Sequence, residues 1–67
     1  MRKERFRDFY DRMKADLDSI GPADGSIFGL AGDRIRYMLS VVADSGRVFN
    51  GEQIKRLVNL AIYGGDA

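Results

Sequence analysis

The side chains of this sequence that could take part in catalysis are its serines and aspartates, and neither type has the partners that catalysis needs. A serine nucleophile requires a base, most often histidine, and the chain has no histidine and no cysteine. Each serine falls where it can cap or end a helix. These serines are Ser19, Ser26, Ser40 and Ser45. We therefore expect no catalytic residues, no cofactor and no small-molecule substrate.

Acidic side chains are frequent in the first third of the chain, but basic residues alternate with them. Four aspartates lie three or four residues from a basic residue, as on a solvated helix face. They are Asp8, Asp11, Asp16 and Asp18. The connection at residues 44–50 also places acidic and amide groups near a glycine, but glycine and valine occupy positions that a calcium loop needs for ligands. We expect no metal site.

A set of polar residues towards the C-terminal end is of the type that contacts nucleic acid. Arginine, lysine, glutamine and asparagine read base edges and phosphates when a helix presents them in a groove. The residues concerned are Arg47, Gln53, Lys55, Arg56 and Asn59. One hypothesis is therefore a helix-turn-helix regulator that reads DNA with the last helix. Against it, the preceding connection exceeds the usual turn, and the formal net charge is only +1.

A second set combines apolar side chains with tyrosine and arginine, the types enriched at protein–protein interfaces. They are Ile27, Leu30, Arg34, Tyr37, Val41, Leu60 and Tyr63. Their apolar members exceed what two short neighbouring helices are expected to cover, and exposed apolar patches usually mark an interface. We therefore predict a small non-enzymatic protein-interaction or regulatory module. It is expected to bind a partner surface and to self-associate, with a homodimer as the expected form.

Three predicted helices would position these residues. Residues 2–20 repeat apolar side chains at three- and four-residue steps, which indicates a first helix with one apolar stripe. Residues 26–43 form the predicted central helix, and residues 51–63 form the third. The third has the best-marked start, because Asn50 and Gln53 have the spacing of a close variant of the capping box. Connections that contain glycine separate the three segments.

The central helix decides the expected architecture. Its apolar residues, which include Phe28 and Leu39, merge into an arc of roughly 240°, whereas a helix at the edge of a monomer usually needs roughly 100°. Arg34 is the only charged member of that arc. We therefore expect an all-α fold, a compact three-helix bundle that forms a single domain over residues 1–67. The central helix should be covered on two sides, by its neighbours or by a second copy of the chain.

Two glycines leave the start of the central helix open. Gly29 and Gly32 each cost about 1 kcal/mol relative to alanine inside a helix. In one interpretation the helix starts near residue 26, and one of these glycines permits close approach of the first helix. In the other, residues 26–31 form a separate turn and Asp33 caps a shorter helix. The first interpretation is favoured.

The ends of the predicted first helix have the wrong charges for its dipole. Four basic residues crowd its N-terminal end, where negative charge would be stabilising, and they would suit an acidic partner. They are Arg2, Lys3, Arg5 and Arg7. No segment has the length and apolarity of a membrane span, and no signal-peptide pattern follows the basic residues. We therefore expect a cytoplasmic protein with no membrane partner.

Overall fold

A computed structural model describes residues 4–25 and 28–65, and of Leu30 it describes the backbone but not the side chain. Three α-helices form within these residues: α1 at Phe6–Ile20, α2 at Leu30–Asp44 and α3 at Gly51–Tyr63. Each helix packs against the other two. The predicted all-α three-helix bundle is therefore confirmed.

Helix α1 begins four residues later than predicted. Arg5 is the N-cap, with extended backbone (φ −68°, ψ 153°) and no side-chain hydrogen bond to the helix end. Glu4 lies outside the helix, and its carboxylate accepts hydrogen bonds from Arg12 Nε at 3.2 Å and Arg12 Nη2 at 2.9 Å. This contact competes with a helical path for Glu4, and the basic residues at this end oppose the helix dipole. Predicted positions 2 and 3 lie outside the described residues.

Helix α2 begins at Leu30, so the favoured prediction of a helix that continues through Gly29 is wrong. Gly29 is the N-cap, and its φ of 66° with ψ of −133° is backbone that glycine tolerates and a helix cannot contain. The alternative, with Asp33 as the cap, is also wrong. Asp33 lies inside the first turn and donates its N–H to the Gly29 carbonyl at 3.2 Å. Predicted positions 26 and 27 lie outside the described residues.

Helix α3 has the predicted bounds at both ends. The Asn50 side chain accepts from the Gln53 N–H at 2.8 Å, and the Gln53 side chain accepts from the Asn50 N–H at 3.1 Å. This is a complete capping box, which satisfies donors that would otherwise be orphaned at a helix start. At the other end Gly64 adopts left-handed backbone (φ 87°) and donates its N–H to the Leu60 carbonyl at 3.0 Å.

The core lies along one stripe of each helix. Its buried apolar residues are Phe9, Tyr10, Met13 and Leu17 from α1, Ala31 and Met38 from α2, and Leu57, Leu60 and Ala61 from α3. Full burial of a large apolar side chain stabilises a fold by roughly 1.5–3 kcal/mol. Packing of these stripes therefore holds the three helices together.

Helix α2 is covered by both neighbours, as predicted, but the wide apolar arc is not all inside. Leu39 is 55% exposed on α2, and Phe28, which precedes the helix, is 75% exposed. The fully buried positions are Ala31, Arg34 and Met38, which are three and four residues apart and form one stripe. The expectation that α2 is buried around most of its circumference is therefore wrong for the described residues.

Candidate functional site

Arg34 is the only charged residue among residues 4–25 and 28–65 that is fully buried. It lies in the first half of α2, and its guanidinium donates to backbone carbonyls of both other helices. The acceptors are Ala61 (from Nε, 2.9 Å), Leu60 (from Nη2, 2.9 Å), Leu17 (from Nη1, 2.9 Å) and Gly21 (from Nη1, 2.6 Å). Asp18 adds a carboxylate oxygen 3.3 Å from Nη1. One side chain thus joins three helices.

The partners of Arg34 lie at the C-terminal ends of α1 and α3. The last carbonyls of a helix have no partner within it and form the negative end of its dipole, so they favour a cation. A guanidinium suits this position because its nitrogens donate in several fixed directions at once. Since the first turns of α2 meet both C-terminal ends, α2 runs antiparallel to α1 and to α3. The burial of Arg34 therefore serves the fold.

Two of the predicted interface residues need correction. Arg34 and Leu60 have no exposed surface, because the guanidinium is enclosed by its carbonyl acceptors and Leu60 packs in the core. Val41 is half-buried and also packs against the core. The apolar surface that these residues were expected to present is therefore largely covered within one chain, by α1 and α3.

The two predicted tyrosines remain accessible, and each contacts a different residue. Tyr37, on α2, is 37% exposed and its hydroxyl donates to Asp16 Oδ2 of α1 at 3.1 Å. That hydrogen bond is the main reason that the pKa of Tyr37 is raised above its ordinary value. Tyr63 is 65% exposed near the end of α3, beside Gly25. Ile27 and the Leu30 side chain lie outside the described part of the chain.

An exposed apolar residue that was predicted to face inward marks the other flank of α2. Tyr37 lies on the flank towards α1, because its hydroxyl contacts Asp16. Leu39 follows two residues later, about 200° further round the helix, and so lies on the flank towards α3. Leu39 is 55% exposed there.

A matching residue lies on α3. Arg56 marks the flank of α3 that faces α1, because its guanidinium carbon lies 4.9 Å from the centre of the Tyr10 ring. Ile54 precedes Arg56 by two residues, so it lies on the flank towards α2. Ile54 is 39% exposed. The exposed apolar residues of α2 and α3 therefore border the same groove.

The two residues also lie at similar heights in the bundle. Arg34 of α2 contacts Ala61 of α3. Because the two helices are antiparallel, later residues of α2 and earlier residues of α3 lie on the same side of that contact. Leu39 lies about 7 Å along α2 from it, and Ile54 about 10 Å along α3. Ile35 and Val42 of α2 and Val58 of α3 are half-buried and pack against the core. We call this surface the Leu39 edge, which consists of Leu39, Ile54, Ile35, Val42 and Val58.

Most of the predicted nucleic-acid contacts take part in the fold. Gln53 is a member of the capping box. The guanidinium of Arg47 lies over the Phe9 and Phe49 rings, and that of Arg56 lies over two rings of α1. Of the remaining two, Lys55 is exposed and Asn59 is half-buried. The structure thus leaves Lys55 as the most accessible member of the set.

Metal binding, membrane spanning and similarity to known proteins give no further indication of function for the described residues. Within the described residues, no three acidic, histidine or cysteine side chains come together as a metal ion would require. In the same part of the chain, no helix is long and apolar enough to cross a membrane. No protein-family model, curated protein or solved structure matches the sequence. The function of the Leu39 edge must therefore be inferred from its geometry.

Proposed function

We propose that this chain is a small non-enzymatic protein-interaction module of the cytoplasm that self-associates through the Leu39 edge. The observation that carries the proposal is the pair of exposed apolar side chains, Leu39 and Ile54, on facing flanks of neighbouring helices. Exposed apolar groups that adjoin a half-buried apolar floor are typical of interaction sites. The site differs from the surface first predicted, since Arg34 and Leu60 of that surface are buried and Val41 is half-buried.

A second copy of the chain is the partner that this surface suits. In a two-fold symmetric dimer the same patch meets itself, so Leu39 and Ile54 of each copy are buried together. Burial of the exposed part of each of the ten edge side chains, five from each copy, contributes on the order of 1 kcal/mol or less. Their sum exceeds the association cost of at least about 4 kcal/mol by only a few kcal/mol, so such a dimer is weak and forms only at high protein concentration.

Sedimentation equilibrium of the wild-type chain and two variants tests this proposal. We expect the wild-type protein to show an average mass above that of a monomer at high micromolar concentration. Leu39→Gln should return it to the monomer mass, because it replaces the most exposed apolar residue of the edge with a good helix former. Val48→Gln is the matched control, since Val48 is 97% exposed but lies in the connection outside the edge.

A wild-type protein that sediments as a monomer at every concentration would contradict self-association. A Val48→Gln variant that dissociates as readily as Leu39→Gln would contradict the assignment to the Leu39 edge. Circular dichroism of both variants shows whether the fold is retained. Both substitutions are at exposed sites, where the free energy of unfolding usually changes by about 0.5 kcal/mol or less.

DNA binding by α3 is the second candidate function. The observation that favours it is the exposed Lys55 on the same helix as Arg56 and the half-buried Asn59. Six residues, 45–50, separate α2 from α3, which is longer than the usual helix-turn-helix connection. A titration of labelled duplex DNA at rising salt separates the two functions. Binding that weakens steeply with salt supports DNA recognition, and no binding at low salt excludes it.

A further inference from the structure

Two arginines lie over the Phe9 ring near the start of α1, and one of them, Arg47, also lies over the Phe49 ring. The Phe9 and Phe49 ring centres are 5.1 Å apart. The guanidinium carbon of Arg47 lies 5.1 Å from the Phe9 centre and 5.3 Å from the Phe49 centre, and that of Arg12 lies 5.4 Å from the Phe9 centre. Cation–π contacts of this kind restrict the orientation of long side chains. A ligand that binds both arginines therefore costs less side-chain entropy.

One carboxylate lies between these two cations. Glu4 binds Arg12 with both oxygens, at 2.9 and 3.2 Å, while its Oε1 lies 3.8 Å from Nη1 of Arg47. The longer distance is an ion pair but not a hydrogen bond. Nη1 of Arg47 is buried and has no hydrogen-bond acceptor. Two guanidiniums thus share one carboxylate, and the donor on Arg47 is left unsatisfied, which is unfavourable for a buried donor.

We propose that Arg12 and Arg47 form a binding site for an acidic side chain of a partner protein, which Glu4 occupies in the free chain. Charge-assisted bonds between guanidinium and carboxylate are short and strong, and both arginines are already oriented by the aromatic rings. Glu4 precedes the first residue of α1, so its side chain can leave without breaking a helical hydrogen bond. The site is separate from the Leu39 edge and does not depend on self-association.

A single carboxylate fits this site better than a nucleic-acid backbone does. Asp8 and Asp16 lie one turn before and after Arg12 on α1. The pKa of Arg12 is raised by its hydrogen bond with Glu4 and also by the charges of Glu4 and Asp16, which places Asp16 close to the site. An extended chain of phosphates would meet these carboxylates and be repelled. One acidic side chain on a peptide would contact the arginines alone.

A fluorescence-anisotropy titration with a labelled peptide that carries a single glutamate among neutral residues tests the proposal on the full chain. Glu4→Gln removes the internal competitor, and we expect it to bind the peptide roughly fivefold more tightly than the wild type, as expected for an ion pair of about 1 kcal/mol. Arg47→Gln should bind at least roughly tenfold more weakly, because it removes the unsatisfied cation. Arg36→Gln is the control, since Arg36 is an exposed arginine of α2 paired only with Asp33.

Three results would overturn the proposal. One is a Glu4→Gln variant that binds no more tightly than the wild type. Another is a peptide with glutamine in place of the single glutamate that binds as well as the acidic peptide. The third is a labelled oligonucleotide that binds more tightly than the acidic peptide. Circular dichroism checks the fold of each variant. Because Glu4 lies outside every described helix, its comparison stands even if Arg47→Gln fails to fold.

Discussion

Arg34 shows how a buried charge can be stabilising when its surroundings supply acceptors. Removal of a guanidinium from water is costly, and the cost is offset only when hydrogen bonds and opposite charge replace the water. Four backbone carbonyls supply the hydrogen bonds, and the carboxylate of Asp18 supplies the charge at the solvent side. The arginine thereby joins the ends of α1 and α3 to the start of α2.

Replacement of Arg34 by lysine should therefore destabilise the fold strongly. An ammonium group donates from one point and cannot reach acceptors on both sides, so the carbonyl of Ala61 or Gly21 loses its partner. The Leu60 carbonyl still accepts from the Gly64 N–H. We expect Arg34→Lys to lower the free energy of unfolding by about 3 kcal/mol, with about 1–3 kcal/mol lost for each unsatisfied group. Urea denaturation followed by circular dichroism measures this loss.

The matched control is Arg36→Lys, two residues further along the same helix. The Arg36 side chain is 78% exposed and pairs with Asp33 on the surface. Surface pairs of this kind contribute little, so the change in the free energy of unfolding should stay within about 0.5 kcal/mol. Equal stability of the Arg34→Lys and Arg36→Lys variants would show that the buried hydrogen bonds are not needed.

The Tyr37–Asp16 contact gives a pH dependence whose direction follows from the raised pKa of Tyr37. The neutral phenol donates to Asp16, so the folded state favours the protonated tyrosine. The contribution of this hydrogen bond to the free energy of unfolding is complete below the ordinary tyrosine pKa of 10.0. It is lost as pH rises through the higher pKa that Tyr37 has in the folded state. Phenolate absorbance of the wild type minus Tyr37→Phe reports this titration. Asp16→Asn should shift its midpoint back down, and an unchanged midpoint would contradict the contact.

At the scale of the element, helix ends were predictable where neighbouring residues alone determine them. The capping box of Asn50 and Gln53 and the left-handed Gly64 depend only on local backbone and side chains, and α3 has the predicted bounds. The start of α1 depends on Glu4, whose partner Arg12 lies eight residues away. From the sequence, Gly29 could lie inside a helix or just before its first residue, and spacing alone does not distinguish these cases.

Loss of the capping box should weaken α3 measurably. Asn50→Ala removes the acceptor for the Gln53 N–H, and we expect the free energy of unfolding to fall by about 1 kcal/mol. Gln53→Ala should have a smaller effect, and the double variant should lose less than the sum, because each single change disables part of the same reciprocal pair. Thermal denaturation of the four proteins measures this coupling, and strict additivity would argue against the box.

At the scale of the whole molecule, the sequence predicts the fold class better than it predicts the surfaces. The bundle follows from apolar periodicity in three segments, which is sufficient for the fold class. Arg34 gave one signal, since it was the only charged member of the apolar arc, but its type suggested an interface. The Glu4–Arg47 ion pair joins residues far apart in the chain, so no local pattern could indicate it.

The tertiary arrangement also changed which apolar residues remain for a partner. The face of α2 that carries Val41 and Arg34 is closed by α1 and α3, whereas Leu39 on the opposite flank stays exposed. The position around the helix decides this, because residues three apart share a face and residues two apart lie on nearly opposite sides. The side of α2 that meets a partner therefore depends on how the helices pack, which spacing does not determine.

A concentration series of amide nuclear magnetic resonance spectra tests the central claim, self-association through the Leu39 edge, most directly. We expect shifts that grow with protein concentration and concentrate around Leu39, Val42, Ile54 and Val58, with little change near Tyr63 or Arg47. Spectra that do not change with concentration, or changes that centre on Tyr37 and Tyr63, would contradict the claim.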